Sequence, residues 1–507
     1  MLARALNLPL IVQVSAVFAL AMLVPALHAV TLEDYRVARA FFFSAVLGLV
    51  ALTLIALAMG AAPRQQSDLQ SLASLVLAYT VLPLFLALPF YEGLATTRFI
   101  NAYFEMVSSL TTTGATLFDD PGRLSASLHL WRGLVGWLGG LLIWISAAAV
   151  LAPMNLGGFE VATEREPGQG KERLDRFQRA SSGRRIARIG GQLAPIYGAL
   201  TLVLWGALMA TGGRPLVAAV HAMSIISTSG ISPVGGMENA QSGLAGEALM
   251  FGFMLFALSR LTFSADTGAA ARRGPRLLHD PEFRLGIALV LGVSVILFAR
   301  HWLGAWEIDE ADNPAQALRA LWGGVFTVLS FLSTTGFESA SWVAARNWSG
   351  LGTPGLVLMG LAIMGGGVAT TAGGIKLLRA HALYLHSVRE LERLVHPSSV
   401  GRTSGRSRRI RREGAFVAWI FFMLFAISLG LVMMILGALG VGFEDALVLT
   451  IAALSTTGPL TRAATDTPIA LLQLGDWAKL VLGVAMVLGR LETLAIIPLF
   501  NPRLWRD

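Results

Sequence analysis

Leu110-Thr111-Thr112-Thr113-Gly114-Ala115 is a hydroxyl-rich run that closes on a single glycine. The chain repeats it as Ile226-Ser227-Thr228-Ser229-Gly230-Ile231, Leu332-Ser333-Thr334-Thr335-Gly336-Phe337 and Leu454-Ser455-Thr456-Thr457-Gly458-Pro459. The four glycines recur at intervals of about 116, 106 and 122 residues, a period that argues for duplicated units rather than a solenoid. Each copy lies between apolar segments. Four pseudo-equivalent loops in one membrane chain are what a four-sided ion pore needs.

The surrounding sequence sets the architecture. Of 507 residues, 55% are hydrophobic and 14% charged, too apolar for a soluble domain, and many runs reach the roughly 20 residues that cross a bilayer. Long apolar segments fall near 9–30, 36–61, 70–91, 127–152, 189–212, 243–264, 283–304, 352–387, 414–438 and 473–499, which gives about ten crossings. Shorter stretches near 97–112, 214–228, 316–334 and 441–456 each run into a glycine phrase and read as half-helices. Irregular backbone at membrane depth is tolerated only inside protein or beside a wet cavity. The predicted fold class is an all-α polytopic membrane protein: outer helix, pore half-helix, filter strand and inner helix, four times around a central pore, preceded by a two-helix hairpin. The corresponding divisions are the hairpin at 1–66 and pore repeats at 67–160, 161–270, 271–395 and 396–507.

The net charge of +8 would suggest nucleic acid in a soluble chain. Here the cations cluster in alternate loops, as the positive-inside rule expects. One cluster holds Arg165, Lys171, Arg173, Arg176, Arg179, Arg184, Arg185 and Arg188; a second holds Arg272, Arg273 and Arg276; a third runs from Arg402 to Arg412. These loops and both termini are expected in the cytosol, with the glycine phrases opening outward and no nucleic-acid partner. The apolar run after Arg4 exceeds a typical signal-peptide h-region and reads as a retained helix. The absence of cysteine excludes disulfides and thiolate metal sites. The histidines show no HExxH spacing, and paired intramembrane carboxylates are lacking, so an intramembrane enzyme is disfavoured. A scaffold with no open pore is a further alternative.

The phrase has the chemistry of a cation filter. An ion entering a narrow pore loses its water, and rings of carbonyl oxygens can replace it. Aiming successive carbonyls inward needs unusual backbone angles, which glycine adopts without a Cβ clash. The C-terminal end of each preceding half-helix adds partial negative charge. Candidate ion-binding residues are Thr112, Thr113 and Gly114; Thr228, Ser229 and Gly230; Thr334, Thr335 and Gly336; and Thr456, Thr457 and Gly458.

The chain resembles the Trk/Ktr family of potassium uptake proteins, the TrkH-like membrane subunits in particular. The likeness rests on these phrases, on Phe104-Glu105, Trp137-Leu138-Gly139-Gly140, Gly373-Gly374-Ile375-Lys376, and Gly489-Arg490-Leu491-Glu492 with Leu499-Phe500. It covers nearly the whole length, and the extra N-terminal hairpin is the TrkH-like arrangement. The resemblance implies K⁺ as the transported ion, no resident cofactor, a homodimer in the cytoplasmic (inner) membrane, and a nucleotide-binding regulatory subunit on a separate chain. Two departures stand out. The first, third and fourth phrases are nearly identical, where the fourth is usually more degenerate. The residue after each glycine also varies (Ala115, Ile231, Phe337, Pro459). A single filter glycine per repeat suggests fewer carbonyl rings than in tetrameric channels, so a Na⁺-permeable or Na⁺-coupled transporter is the alternative within transport.

Two elements read as a gate. Gly365-Gly366-Gly367 and Gly373-Gly374 flank Thr370 and Thr371 in the long third-repeat span. Five glycines in ten residues cost a helix about 1 kcal/mol each relative to alanine, so the helix should break there; small-residue packing is the alternative. The resemblance makes this stretch an intramembrane gate loop ending at Lys376. Arg490 lies about 21 Å along the axis from Asp476, where a charge is costly. Snorkelling or pairing with Glu492 competes with a role under the filter, and the resemblance implies the latter. Asp119, Asp120 and Glu338 are expected at the outer mouth, Glu105 as an anchor of its half-helix, and the twelve tryptophans mostly as interfacial anchors.

Overall fold

The computed structural model describes residues 8–59, 68–154, 156, 158, 182–259, 277, 280–304, 314–396, 414–465 and 467–500. Among these, every regular element is helical. The hairpin is formed by Leu10–Ala21 and Leu23–Thr31, which return through Tyr35–Ala58. Asp34 caps the returning helix by accepting from the Val37 N–H at 3.3 Å, which satisfies one of the orphan donors of a helix start.

The four repeats follow one plan. In the first, Asp68–Thr80 and Leu82–Leu94 form the outer helix, Phe99–Leu110 the pore helix and Ala126–Ser146 the inner helix. Pro83 removes a backbone donor near the break in the outer helix, and the Tyr103 hydroxyl donates to the Thr80 carbonyl there at 3.1 Å. The second repeat has Ser182–Ala210, Pro215–Ser227 and Gly243–Met254 in those roles. The third has Pro281–Gly304, Pro314–Leu332 and a divided inner helix, Pro354–Met364 and Leu377–Val395. The fourth has Ala415–Ala438, Phe443–Leu454 and Asp476–Leu491.

Among the described residues, eight helices are long and apolar enough to cross a membrane by length and composition, so the chain is a multi-pass membrane protein. Two differences from the sequence expectation have simple causes. Ala315–Leu332 is one of the eight although it belongs to the third pore helix, Pro314–Leu332; at 19 residues, or about 28 Å, that helix is not marked as a half-helix by length alone. Conversely, the third inner helix is no single span, because it ends at Met364 and resumes at Leu377. The Arg165–Arg179, Arg272–Arg276 and Arg402–Arg412 clusters lie outside the described residues.

Small residues let the inner helices touch the pore segments. A Cβ on Gly139 would lie 2.1 Å from the Leu110 carbonyl oxygen, and one on Gly489 2.3 Å from that of Leu454. Both oxygens close a pore helix, so the same contact is built in the first and fourth repeats. Apolar side chains such as Leu27, Leu47, Phe416 and Ile427 face outward, as a lipid-facing surface requires. The tryptophans are less uniformly interfacial than expected: Trp131, Trp144 and Trp342 are buried, and the Trp131 indole N–H donates to the Leu86 carbonyl at 3.3 Å.

Candidate functional site

Each pore helix ends at its glycine phrase, and the residue two before the glycine turns the chain. Thr112, Thr228, Thr334 and Thr456 have φ of 54°, 51°, 58° and 53°. A β-branched residue in the left-handed region is a genuine outlier, and such strain persists only where the surroundings over-determine it. Four instances at one repeat position identify a built feature. In the first repeat, the N–H groups of Thr113 and Gly114 both return to the Ser108 carbonyl, at 2.9 and 3.2 Å. In the third, Thr335 and Gly336 return to Ser330 at 2.9 and 3.1 Å. Hydroxyl pairs brace the turn: Thr111 with Thr113 at 2.8 Å, Ser227 with Ser229 at 3.1 Å, and Ser333 with Thr335 at 2.9 Å.

The four glycines converge, and their contacts run in a circle. A Cβ on Gly114 would meet the Ser229 carbonyl oxygen at 1.8 Å, one on Gly230 the Thr335 oxygen at 2.2 Å, one on Gly336 the Pro459 ring at 2.8 Å, and one on Gly458 the Ala115 nitrogen at 2.0 Å. First touches second, second third, third fourth, and fourth first. All four glycines floor one vestibule of about 170 Å³.

The ring is only pseudo-four-fold: the fourth phrase departs despite its near-identical sequence. Gly114, Gly230 and Gly336 have φ of 73°, 64° and 82°, whereas Gly458 lies outside the left-handed region. Its N–H donates to the Thr113 carbonyl of the neighbouring first segment at 2.6 Å. The cause is the next residue. Pro459 has φ −57° and ψ −16° and starts the short helix Leu460–Ala463, a position for which its fixed φ is suited. The fourth phrase therefore bends into a helical turn instead of continuing as a strand.

Buried carboxylates hold the filter from outside. Glu105 accepts from the Thr116 hydroxyl and the Leu117 N–H, both at 2.6 Å, and lies 3.0 Å from the Arg132 guanidinium; this agrees with its expected anchoring role. Glu247, on the second inner helix, reaches the third repeat. It accepts from the Trp322 indole and the Ser339 hydroxyl, each at 2.8 Å, and from the Ala340 N–H at 2.7 Å. Nothing in the local sequence marks Glu247, since its partners lie 75 to 93 residues away. Of the acids expected at the mouth, Glu338 lines the vestibule, Asp119 faces Arg462 at 3.6 Å, and Asp120 caps its own turn by accepting from the Gly122 N–H at 2.9 Å.

The glycine-rich break lies directly beneath. Gly365, Ala369, Gly374 and Lys376 all have positive φ, and Gly367 donates to the Ala257 carbonyl at 2.9 Å. A Cβ on Gly366 would meet the Ala257 carbonyl oxygen at 2.6 Å. The loop touches three of the four pore segments from below. Gly373 N–H donates to the Thr334 hydroxyl at 2.7 Å, and the Thr371 hydroxyl to the Ile226 carbonyl at 3.2 Å. A Cβ on Gly373 would sit 2.1 Å from the Ser455 carbonyl oxygen. Thr370 donates to Gly367 within the loop at 2.8 Å, and the Lys376 ammonium to the Ala372 carbonyl.

Arg490 is buried and donates to the Thr371 carbonyl at 2.6 Å, so it neither snorkels nor pairs with Glu492. That carboxylate is taken by Arg379 at 2.6 Å, whose guanidinium lies 3.8 Å from the centre of the Phe421 ring. Among the described residues, no group of His, Asp and Glu side chains forms a metal cluster.

The profile described as "TrkH: Cation transport protein" matches residues 248–506. The chain belongs to the TrkH family of cation transport proteins. It is 30% identical to the Trk system potassium uptake protein TrkH of Halomonas elongata over 434 residues, 85% of this chain and 84% of that one. It is likewise 30% identical to the protein of that name from Salmonella typhimurium, over 88% of each chain. The fold superimposes on the crystal structure of the potassium transporter TrkH from Vibrio parahaemolyticus with a TM-score of 0.79, at 26% identity and over 100% of both chains. Family membership makes the chain a transporter and not an enzyme.

Proposed function

We propose that this chain carries K⁺ into the cell across the cytoplasmic membrane, along an axis through Gly114, Gly230, Gly336 and Gly458. The observation that carries the reading is the circle of contacts among those glycines at the floor of one vestibule. The residues bring oxygen ligands without a metal-binding carboxylate set, which suits a dehydrated monovalent cation. The relatives' names as potassium uptake proteins point the same way. The loop from Gly365 to Lys376 is the gate in this reading, held shut by Arg490.

The same reading carries the division into hairpin 1–66 and repeats 67–160, 161–270, 271–395 and 396–507, each repeat holding one pore helix and one filter. It puts both termini in the cytosol. It pairs two copies of the chain and assigns regulation to a separate nucleotide-binding subunit; the relatives' designation as parts of a Trk system supports only that further components exist. Selectivity for K⁺ over Na⁺ is the narrower part of the proposal, because one segment of the ring diverges at Pro459.

Radiolabelled Rb⁺ uptake into proteoliposomes, with Na⁺ competition, tests the reading. Gly336→Ser forces a side chain into a left-handed position against the Pro459 ring and should abolish selective uptake. Wild-type flux in that variant would remove the filter assignment, and equal displacement of Rb⁺ by Na⁺ and K⁺ would favour the Na⁺-permeable alternative.

A further inference from the structure

We infer that Arg462 sets valence selectivity at the outer mouth, admitting monovalent cations while rejecting divalent ones. The inference rests on the proposed pathway through the four glycines. Arg462 lies on the helical turn that Pro459 starts, and it lines the vestibule that those glycines floor. The turn is pinned: the Thr461 hydroxyl donates to the Gly458 carbonyl at 2.9 Å, and the Ile469 N–H donates to the Thr461 carbonyl at 3.0 Å. The backbone of Arg462 is thereby held beside the glycine ring, and its guanidinium reaches into the vestibule.

Its charge is poorly compensated. Nη2 is buried without a hydrogen-bond acceptor, and the facing Asp119 carboxylate stands at 3.6 Å, with 52% of its side chain exposed to solvent. The other cation lining the vestibule stands closer to its acid: Arg132 lies 3.0 Å from the fully buried carboxylate of Glu105. Two acids, Glu238 and Glu338, also line the mouth and attract cations of either valence. Arg462 opposes them from the same vestibule.

The energy of a mobile ion in the field of a fixed charge is proportional to the ion's valence. Any change that Arg462 makes in local monovalent concentration is therefore squared for a divalent ion. A small penalty for K⁺ becomes a large one for Mg²⁺, Ca²⁺ or Ba²⁺. This squared relation separates a field effect from a steric one, which would follow ion size.

The test is Rb⁺ uptake into proteoliposomes at low ionic strength, with Ba²⁺ as the external blocker, for wild type, Arg462→Gln, Arg462→Lys and Asp119→Asn. Arg462→Gln should lower the Rb⁺ half-saturation concentration and lower the Ba²⁺ half-blocking concentration by the square of that factor, about fourfold for about twofold. Arg462→Lys should stay near wild type. Asp119→Asn should shift both values the opposite way under the same squared relation, and it carries the test if Arg462→Gln fails to assemble. About 1 M salt, with a screening length near 3 Å, should erase the differences. Equal factors for Rb⁺ and Ba²⁺, no shift in either, or a Lys variant that behaves like Gln would overturn the inference. Gly336→Ser in the same vesicles separates the two failures. Unchanged flux there sinks the pathway, whereas lost flux without the squared relation sinks only the role of Arg462.

Discussion

The backbone N–H of Gly373 donates to the side-chain hydroxyl of Thr334 at 2.7 Å. One residue belongs to the glycine-rich loop beneath the ring, the gate of the proposed reading, and the other turns the third glycine phrase at φ 58°. The loop and the third glycine phrase are thus hydrogen-bonded directly, and in the proposed reading this bond ties the gate to the filter above it.

Thr334→Val keeps the β-branched shape and removes the acceptor. A buried hydrogen bond contributes about 0.5–1.5 kcal/mol, so the closed arrangement should weaken by about two- to tenfold. Basal Rb⁺ flux should rise by that factor, and Thr334→Ser should restore the wild-type level. An unchanged basal flux in the Val variant would show that the bond does not hold the loop.

Glu247 supplies the acceptors for Trp322, Ser339 and Ala340. Glu247→Ala strands three donors in the interior, each at about 1–3 kcal/mol, for a loss of at least about 3 kcal/mol. Thermal unfolding followed by size-exclusion chromatography in detergent should show a markedly lower midpoint. Glu247→Gln, which keeps one acceptor oxygen, should fall between. A midpoint equal to wild type in the Ala variant would mean that water replaces the carboxylate.

Gly336 and Pro459 are predicted to be energetically coupled. A Cβ at Gly336 would lie 2.8 Å from the Pro459 ring. Gly336→Ala alone should therefore cost more than it does in a Pro459→Ala background. The difference should fall within roughly 0.5–3 kcal/mol, the range for contacting residues, read from thermal midpoints and flux in a double-mutant cycle. Strict additivity would mean that the fourth segment yields freely to the third.

Burial pushes the Glu338 carboxyl above its ordinary value of 4.5, with Glu238 acting in the same direction and Arg346 opposing. The group therefore takes up its proton at a higher external pH than a free glutamate. As pH falls through that raised value, the vestibule loses negative charge and the apparent affinity for Rb⁺ should decline. The stability linkage has the opposite sense: the native state binds the proton more tightly, so this group's contribution to stability is lost as pH rises through the same window. Glu338→Gln should flatten the pH dependence of half-saturation above 4.5, and an unaltered pH profile would assign it to another group.

Much of this protein was legible in one dimension because its strongest signals are local. Apolar length marks the crossings. A hydroxyl run ending in glycine marks each turn where the chain leaves helical geometry. Clustered glycines from Gly365 to Gly374 cannot sustain a helix, and the break occurs where their propensity requires it. The tertiary structure decided what depends on distance between repeats. Gly458 reads like its three counterparts, yet its backbone departs because Pro459 starts a helix and the Thr113 carbonyl is within reach. Glu492 stands two residues from Arg490 but pairs with Arg379, because the positive φ of Glu492, 64°, turns the chain away from the inner helix. Glu247 serves a repeat other than its own. Propensity acts over a few residues, whereas charge pairing and close packing act through space, and only the folded chain brings those partners together.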